Sequence, residues 1–437
     1  MIDASKGFLK DGNKNRLRSQ DIHKIVDVFN RQIELQRYSR MIPVTEIASP
    51  ANDYNLNIPR YIDSSEPDDL HDLDAHLKGG IPNRDIDALN AYWTVFPSLR
   101  QALFQDHGRE GYSETRVETH QVRATILGHS EFKPFAERVG AIFDTWRDTH
   151  EPMLRELTVN ELPKTLIHML SEDLLTRFTD LPLLNRYDVY QRLMDYWAEV
   201  MQDDVYLVAA DGWMEAVRPR GIIEDKEKKI KETPDMTIKR KKYKMDLCPP
   251  KLIVTRYFTT EQASIEALQA TQETAARELG EFVDENIGEE GLLADVTNDK
   301  GKVTKGAVKD RLKTIKGELE SNEEQAALTH CLALIEVNSK ASKTVKEAQI
   351  ALNQQALALY AKLTEAEIIT LVVEDKWFAS IRTAVEGEVQ WLTQQLAGRV
   401  KELEERYANT LPELERNVEE FSKKSETHLK EMGFVWT

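Results

Sequence analysis

Beyond Thr259 the chain is rich in Glu, Gln, Lys and Arg, and its apolar residues recur at helical spacing along narrow stripes. Ile265, Leu268, Ala275, Leu279, Phe282 and Val283 form one such stripe. Ala327, Leu328, Cys331, Leu332, Ile335, Val345, Leu352 and Leu359 form a second. A helix that is polar over most of its circumference holds only when its seam is covered. Two such helices, joined by a connector running from Gly288 to Gly317, cover each other by lying antiparallel. Residues 261–362 are therefore predicted to form an antiparallel coiled-coil hairpin.

Thr364 and Glu367 then make a capping box that opens another helix. A longer helix starts near Asp375, with Phe378, Ile381, Val385, Val389, Leu392, Leu396, Val400, Leu403 and Tyr407 at spacings of three and four. Pro412 restarts the chain, and Leu414, Val418, Phe421, Leu429 and Met432 continue a stripe that Gly433 closes. The terminal Phe434 and Trp436 are strongly apolar for a chain end. Ile381, Val385, Leu392, Leu396, Leu403, Phe434 and Trp436 need cover, either within the chain or in a partner. Residues 363–437 are read as helices for subunit assembly.

Upstream, residues 86–203 have a helical pattern, with Tyr92, Trp93, Phe96, Phe132, Phe135, Phe143 and Trp146 supplying bulk for a core. The runs 205–210 (VYLVAA) and 252–258 (LIVTRYF) are β-branched and aromatic, and predict strands. Between them, residues 218–244 carry Lys226, Lys228, Lys229, Lys231, Lys239, Arg240, Lys241, Lys242 and Lys244. An antiparallel ribbon with a long basic loop is the economical reading. Such a loop either contacts phosphates or is a solvated tip that keeps a strand edge soluble. In residues 1–62, Asp21 is placed to cap a helix bearing Ile22, Ile25, Val26, Val28 and Phe29, and β-like pieces follow at 39–44 and 56–62. Residues 63–74 are an acidic stretch without Lys or Arg, read as solvated rather than metal-binding. The fold class is mainly α with a minor β component. Four regions result: 1–62, 63–260 with the basic loop, 261–362 and 363–437.

The net charge of −17 argues against a surface built throughout for nucleic acid, though a local basic contact remains open. No run is long and apolar enough for a membrane span. Two cysteines exclude a disulfide framework, so a reducing, cytoplasmic setting is expected. None of the 19 glycines stands two from another, so no Gly-x-Gly loop exists. Gly301 and Gly306 have P-loop spacing, but Ala307 and Val308 replace the lysine and hydroxyl residue that phosphate and magnesium need. Pro249-Pro250, flanked by Cys248 and Lys251, reads as punctuation before a strand. No catalytic, cofactor-binding or metal-ligating residue is assigned.

Three stretches are nevertheless distinctive: residues 11–26 (DGNKNRLRSQDIHKIV), 52–62 (NDYNLNIPRYI) and 69–93 (DLHDLDAHLKGGIPNRDIDALNAYW). With Ile2-Asp3-Ala4-Ser5 and the terminal HLKEMGFVW, they resemble the later half of the modification subunit of type I restriction–modification systems. The resemblance implies S-adenosylmethionine-dependent N6-adenine DNA methylation in the intact subunit. It also implies a specificity subunit that reads DNA, a restriction subunit in the full complex, and double-stranded DNA reached through that complex.

In that family a Gly-rich cofactor loop and an Asn-Pro-Pro-aromatic motif precede the Ile-Asp-Ala-Ser strand. The motif stacks a flipped adenine on an aromatic ring while carbonyl groups accept from its amino group. Neither is present here. The expectation is a modification subunit lacking the first part of its catalytic domain, through truncation, proteolysis or a split gene, with residues 1–62 a remnant of the α/β core. S-adenosylmethionine is not expected to bind this chain, whose retained work would be assembly with the specificity subunit. Asn13, Lys14, Asn15 and Arg16 either lie near DNA in the intact enzyme or form a polar turn before a helix. The rival is a stand-alone coiled-coil scaffold that uses Lys239, Arg240, Lys241, Lys242 and Lys244 for nucleic acid. A third reading, a small-molecule enzyme, needs converging perturbed groups that the sequence does not cluster.

Overall fold

The computed structural model describes residues 1–65, 70–160, 162–222, 224–225, 230–288, 291–298, 302–316 and 322–433. The chain is mainly α-helical with small β-sheets. It divides into two units, Met1–Tyr206 with Trp377–Thr437, and Leu207–Lys376.

The first unit is built on the helices Phe132–Arg155, Pro163–Arg177, Arg186–Tyr196 and Ala379–Tyr407. Pro163 opens its helix at a position that needs no N–H, and the Asn185 side chain caps the next by accepting from Tyr187 N. Their apolar faces meet around Trp146, whose ring stands edge-on to Phe378 at 5.7 Å and whose indole N–H donates to Leu170 O. Phe96, Phe132, Phe135 and Phe143 extend this core, as the aromatic pattern predicts. A three-stranded antiparallel sheet, Ile81–Pro82, Tyr112–Thr115 and Phe104–Asp106, lies within the same unit.

The second unit contains two long helices, Thr259–Asn286 and Asn322–Tyr360, packed on each other. They run antiparallel: Phe282 stacks edge-on with His330, and Gln272 reaches Asn338 farther along. Near their join a small core forms from Leu293, Val296, Val308, Ile315, Leu328 and Cys331, so the connector is itself folded and includes the Lys305–Thr314 helix. At the other end the buried Tyr360 hydroxyl donates to Cys248 O at 2.6 Å.

Several local expectations are corrected. Residues 205–210 fall in the helix Gln202–Asp211, and 252–258 in the helix Pro250–Tyr257 and its cap. Val205 and Val208 share the buried face of the first helix, and in the second Ile253 is buried while Thr255 is exposed. Pro250 is the first residue of its helix, where the missing N–H costs nothing, so the Pro-Pro pair announces a helix rather than a strand. The pieces at 39–44 and 56–62 are not strands; Ser39 makes isolated bridges to Ile2 and Leu35, and Ile58–Arg60 is a tight helical turn. Asp21 is the third residue of its helix rather than its cap, and its carboxylate accepts from Arg18 N in a capping box. The Thr364–Glu367 capping box forms as predicted.

Candidate partner and nucleic-acid surfaces

The amino-terminal hairpin pairs Leu9–Asp11 with Lys14–Arg16 across a two-residue turn, with Gly12 at φ +61°. A positive φ at the first turn position suits glycine and matches the twist of paired strands. Asn13, the second turn residue, and Lys14, Asn15 and Arg16 on the returning strand are exposed on this hairpin, ahead of the Ser19–Arg31 helix. Arg16 lies 3.8 Å from Asp11, both largely solvated, a pair worth little. Beneath the hairpin lies a cavity of about 570 Å³, lined among others by Arg16, Arg18, Asp188, Arg192, Glu388 and Trp391. Its charges cancel internally, because Arg18 is held by Asp21 and Arg192 by the buried Glu388.

The helix Ser19–Arg31 buries a polar edge instead of its apolar stripe. Gln20, Asp21, Asp27 and Val28 face inward, whereas Ile22, Val26 and Phe29 are exposed. Gln20 donates to Asp188, His23 meets Glu172 at 2.7 Å, and Asp27 accepts from Tyr187 and Arg186. Burial works against the Asp21 charge, but Arg18 outweighs it and holds that carboxyl below the ordinary range.

The basic segment is a ribbon in its own right. Lys241–Lys244 is the central strand, antiparallel to Met236–Ile238 on one side and Arg220–Gly221 on the other. Arg220 binds Glu232 and Asp246 with two hydrogen bonds each, and Asp235 accepts from both Lys244 Nζ and Met245 N. The turn is Lys239-Arg240, both left-handed, with φ +47° and +69°. That backbone sign belongs to the tight hairpin turn that normally takes Asn-Gly, and side chains other than glycine adopt it at a cost on the order of 1 kcal/mol each. Of the predicted contacts, Lys239, Arg240, Lys241 and Lys242 are exposed while Lys244 is committed to Asp235. Lys226, Lys228 and Lys229 lie outside the described residues.

The predicted partner face on the Ala379–Tyr407 helix is corrected. Ile381, Val385, Leu392, Leu396 and Leu403 are all buried within the chain, because the helices Thr119–Gly128, Phe132–Arg155 and Arg186–Tyr196 pack on that side. A face already dry gains nothing from a partner. Phe434 and Trp436 lie outside the described residues. The uncovered stripe belongs to the following helix, Leu411–Glu431, in which no residue is buried. Leu411, Leu414, Val418 and Phe421 are exposed there, Val418 and Phe421 each at 65%.

Residues 1–69 match the family model described as N-6 DNA Methylase. The match makes this segment, which holds the hairpin and the Ser19–Arg31 helix, similar to N-6 DNA methylases. No solved structure matches the chain. Enzymes of the methylase family generally take their methyl group from S-adenosylmethionine. A cavity beside residues 4–7 measures about 270 Å³; Lys6, Arg18, Asp21 and Lys24 line it together with Asp188 of the Arg186–Tyr196 helix. Its three cations are set against two carboxylates, of which Asp21 is held by Arg18. Among the described residues no group of His, Cys, Asp and Glu is arranged to hold a metal, and no helix is long and apolar enough to cross a membrane.

Proposed function

We propose that this chain is part of the modification subunit of a type I restriction–modification complex, and that it contributes assembly rather than methyl transfer. The intact subunit would carry out S-adenosylmethionine-dependent N6-adenine methylation in the cytoplasm, with a specificity subunit reading the DNA and a restriction subunit joining for cleavage. The observation that carries the assembly role is the uncovered apolar stripe of the Leu411–Glu431 helix. An amphipathic helix of this length seeks a complementary helical groove, and the helical spacers of a specificity subunit would supply one. The exposed Ile22, Val26 and Phe29 suit a second contact, with the cofactor-bearing part of the methyltransferase fold.

Val418→Glu and Phe421→Glu together are expected to abolish co-purification with the specificity subunit while leaving helical content by circular dichroism unchanged. Retained complex would remove the docking assignment. The noncatalytic part of this reading rests on these 437 residues holding no Gly-x-Gly loop and no Asn-Pro-Pro-aromatic motif. Titration calorimetry of S-adenosylmethionine into the purified chain is expected to give no heat of binding, and a saturable signal would refute that part.

A further inference from the structure

We infer that the tip of the basic ribbon, Lys239, Arg240 and Lys241, grips the phosphate backbone of duplex DNA independently of sequence. The inference rests on the reading that this chain serves a DNA-modifying complex, and it assigns the surface that touches the nucleic acid. The first ground is how charge is divided along the ribbon. Among the described side chains the acids sit at the root: Glu232 and Asp246 hold Arg220, and Asp235 holds Lys244 and the Met245 N–H. No carboxylate among the described residues pairs with Lys239, Arg240 or Lys241. Three cations therefore project together from a chain whose net charge is −17, so the attraction for a polyanion is local to this tip.

The second ground is geometric. Both turn residues occupy the left-handed region, where Asn-Gly would sit without strain. A solvated tip has no use for that conformation in two long cationic side chains. A two-residue turn does place adjacent cations at the narrowest point of the ribbon, and the Arg220 clamp and the buried Met236 keep its root from fraying. Adjacent cations at the tip of a firm hairpin suit phosphate contacts, which position a protein on DNA and carry no base sequence. The match of residues 1–69 to a DNA methylase family favours DNA over other polyanions.

The double variant Lys239→Asn with Arg240→Gly separates charge from fold, since it installs the preferred turn while deleting two cations. Binding of the full chain to a fluorescent duplex of mixed sequence would be followed by anisotropy between 50 and 200 mM salt. The thermal midpoint is expected to stay level or rise. Affinity at 50 mM salt should fall roughly tenfold or more, and the slope of log K against log salt should lose about 2. Lys343→Gln with Lys346→Gln, on the long Asn322–Tyr360 helix, serves as the charge-matched control and should leave the slope in place. Absence of DNA binding by the parent chain, an unchanged slope in the ribbon variant, an equal loss in the control, or tighter binding to an RNA duplex would each overturn the inference. Co-purification with the specificity subunit does not depend on the ribbon, so the two readings fail separately.

Discussion

Replacing Asp27 by alanine is expected to destabilise the first unit by about 3 kcal/mol. Asp27 lies on the Ser19–Arg31 helix and is only 6% exposed. One carboxylate oxygen accepts from the Tyr187 hydroxyl and from Arg186 Nη2, both at 2.6 Å, and the other pairs with Arg31 at 2.8 Å. Removing it strands a guanidinium that is largely shielded from water. Arg186 keeps its bonds to Thr179 and the Tyr187 oxygen, which places the loss at the low end of what breaking a buried pair costs. Asp27→Asn preserves volume and one acceptor, and should cost about 1–2 kcal/mol. Urea midpoints measure both, and an alanine variant within about 0.5 kcal/mol of the parent would show that the network holds nothing.

The same network has an alkaline signature. Burial, reinforced by the hydrogen bond to Asp27, pushes the Tyr187 hydroxyl up to about 12. In the unfolded chain it titrates near 10. Because the folded value is the higher one, the contribution is complete below pH 10 and is lost as pH rises toward 12. Other tyrosines are raised too, so the readout is a difference: Tyr187→Phe should flatten part of the decline between pH 10 and 12. This contact joins the segment that matches the methylase model to the helical region, beside the Gln20–Asp188 and His23–Glu172 contacts.

Trp146→Ala should be more damaging, at roughly 3–5 kcal/mol. The indole is wholly buried and meets Phe143, His150 and Phe378 at centroid distances of 5.4, 5.5 and 5.7 Å. Alanine leaves a cavity that three packed helices cannot collapse into, and it forfeits the bond to Leu170 O. Trp146→Phe keeps most of the ring and should lie between the two. A denaturant midpoint unchanged in the alanine variant would mean that this cluster is not the unit's core. Phe378 immediately precedes the Ala379–Tyr407 helix, so the same substitution should loosen the start of that helix.

Much of the helical architecture is legible in the residues. The capping box at Thr364 and Glu367, the antiparallel pairing of the two long polar helices and the aromatic core near Trp146 each follow from local chemistry or periodicity. The runs 205–210 and 252–258 were not legible as helices, because a short β-branched stretch has no period long enough to separate the two structures. Pro250 carried the missing signal for one of them. The Lys239-Arg240 turn was hidden for a different reason: a left-handed pair is ordinarily announced by glycine or asparagine, and this one is not.

The surfaces that matter for function depended on tertiary structure. Ile381 to Leu403 and Leu414 to Phe421 repeat at the same spacings of three and four, and nothing local distinguishes them. The first set is dry and the second wet, because helices from residues 119–196 fold back onto one and not onto the other. Periodicity, capping and charge are properties of near neighbours, so the sequence alone determined that these helices form and that each carries an apolar face. Which face finds cover depends on segments hundreds of residues away, and only the packed chain decides that.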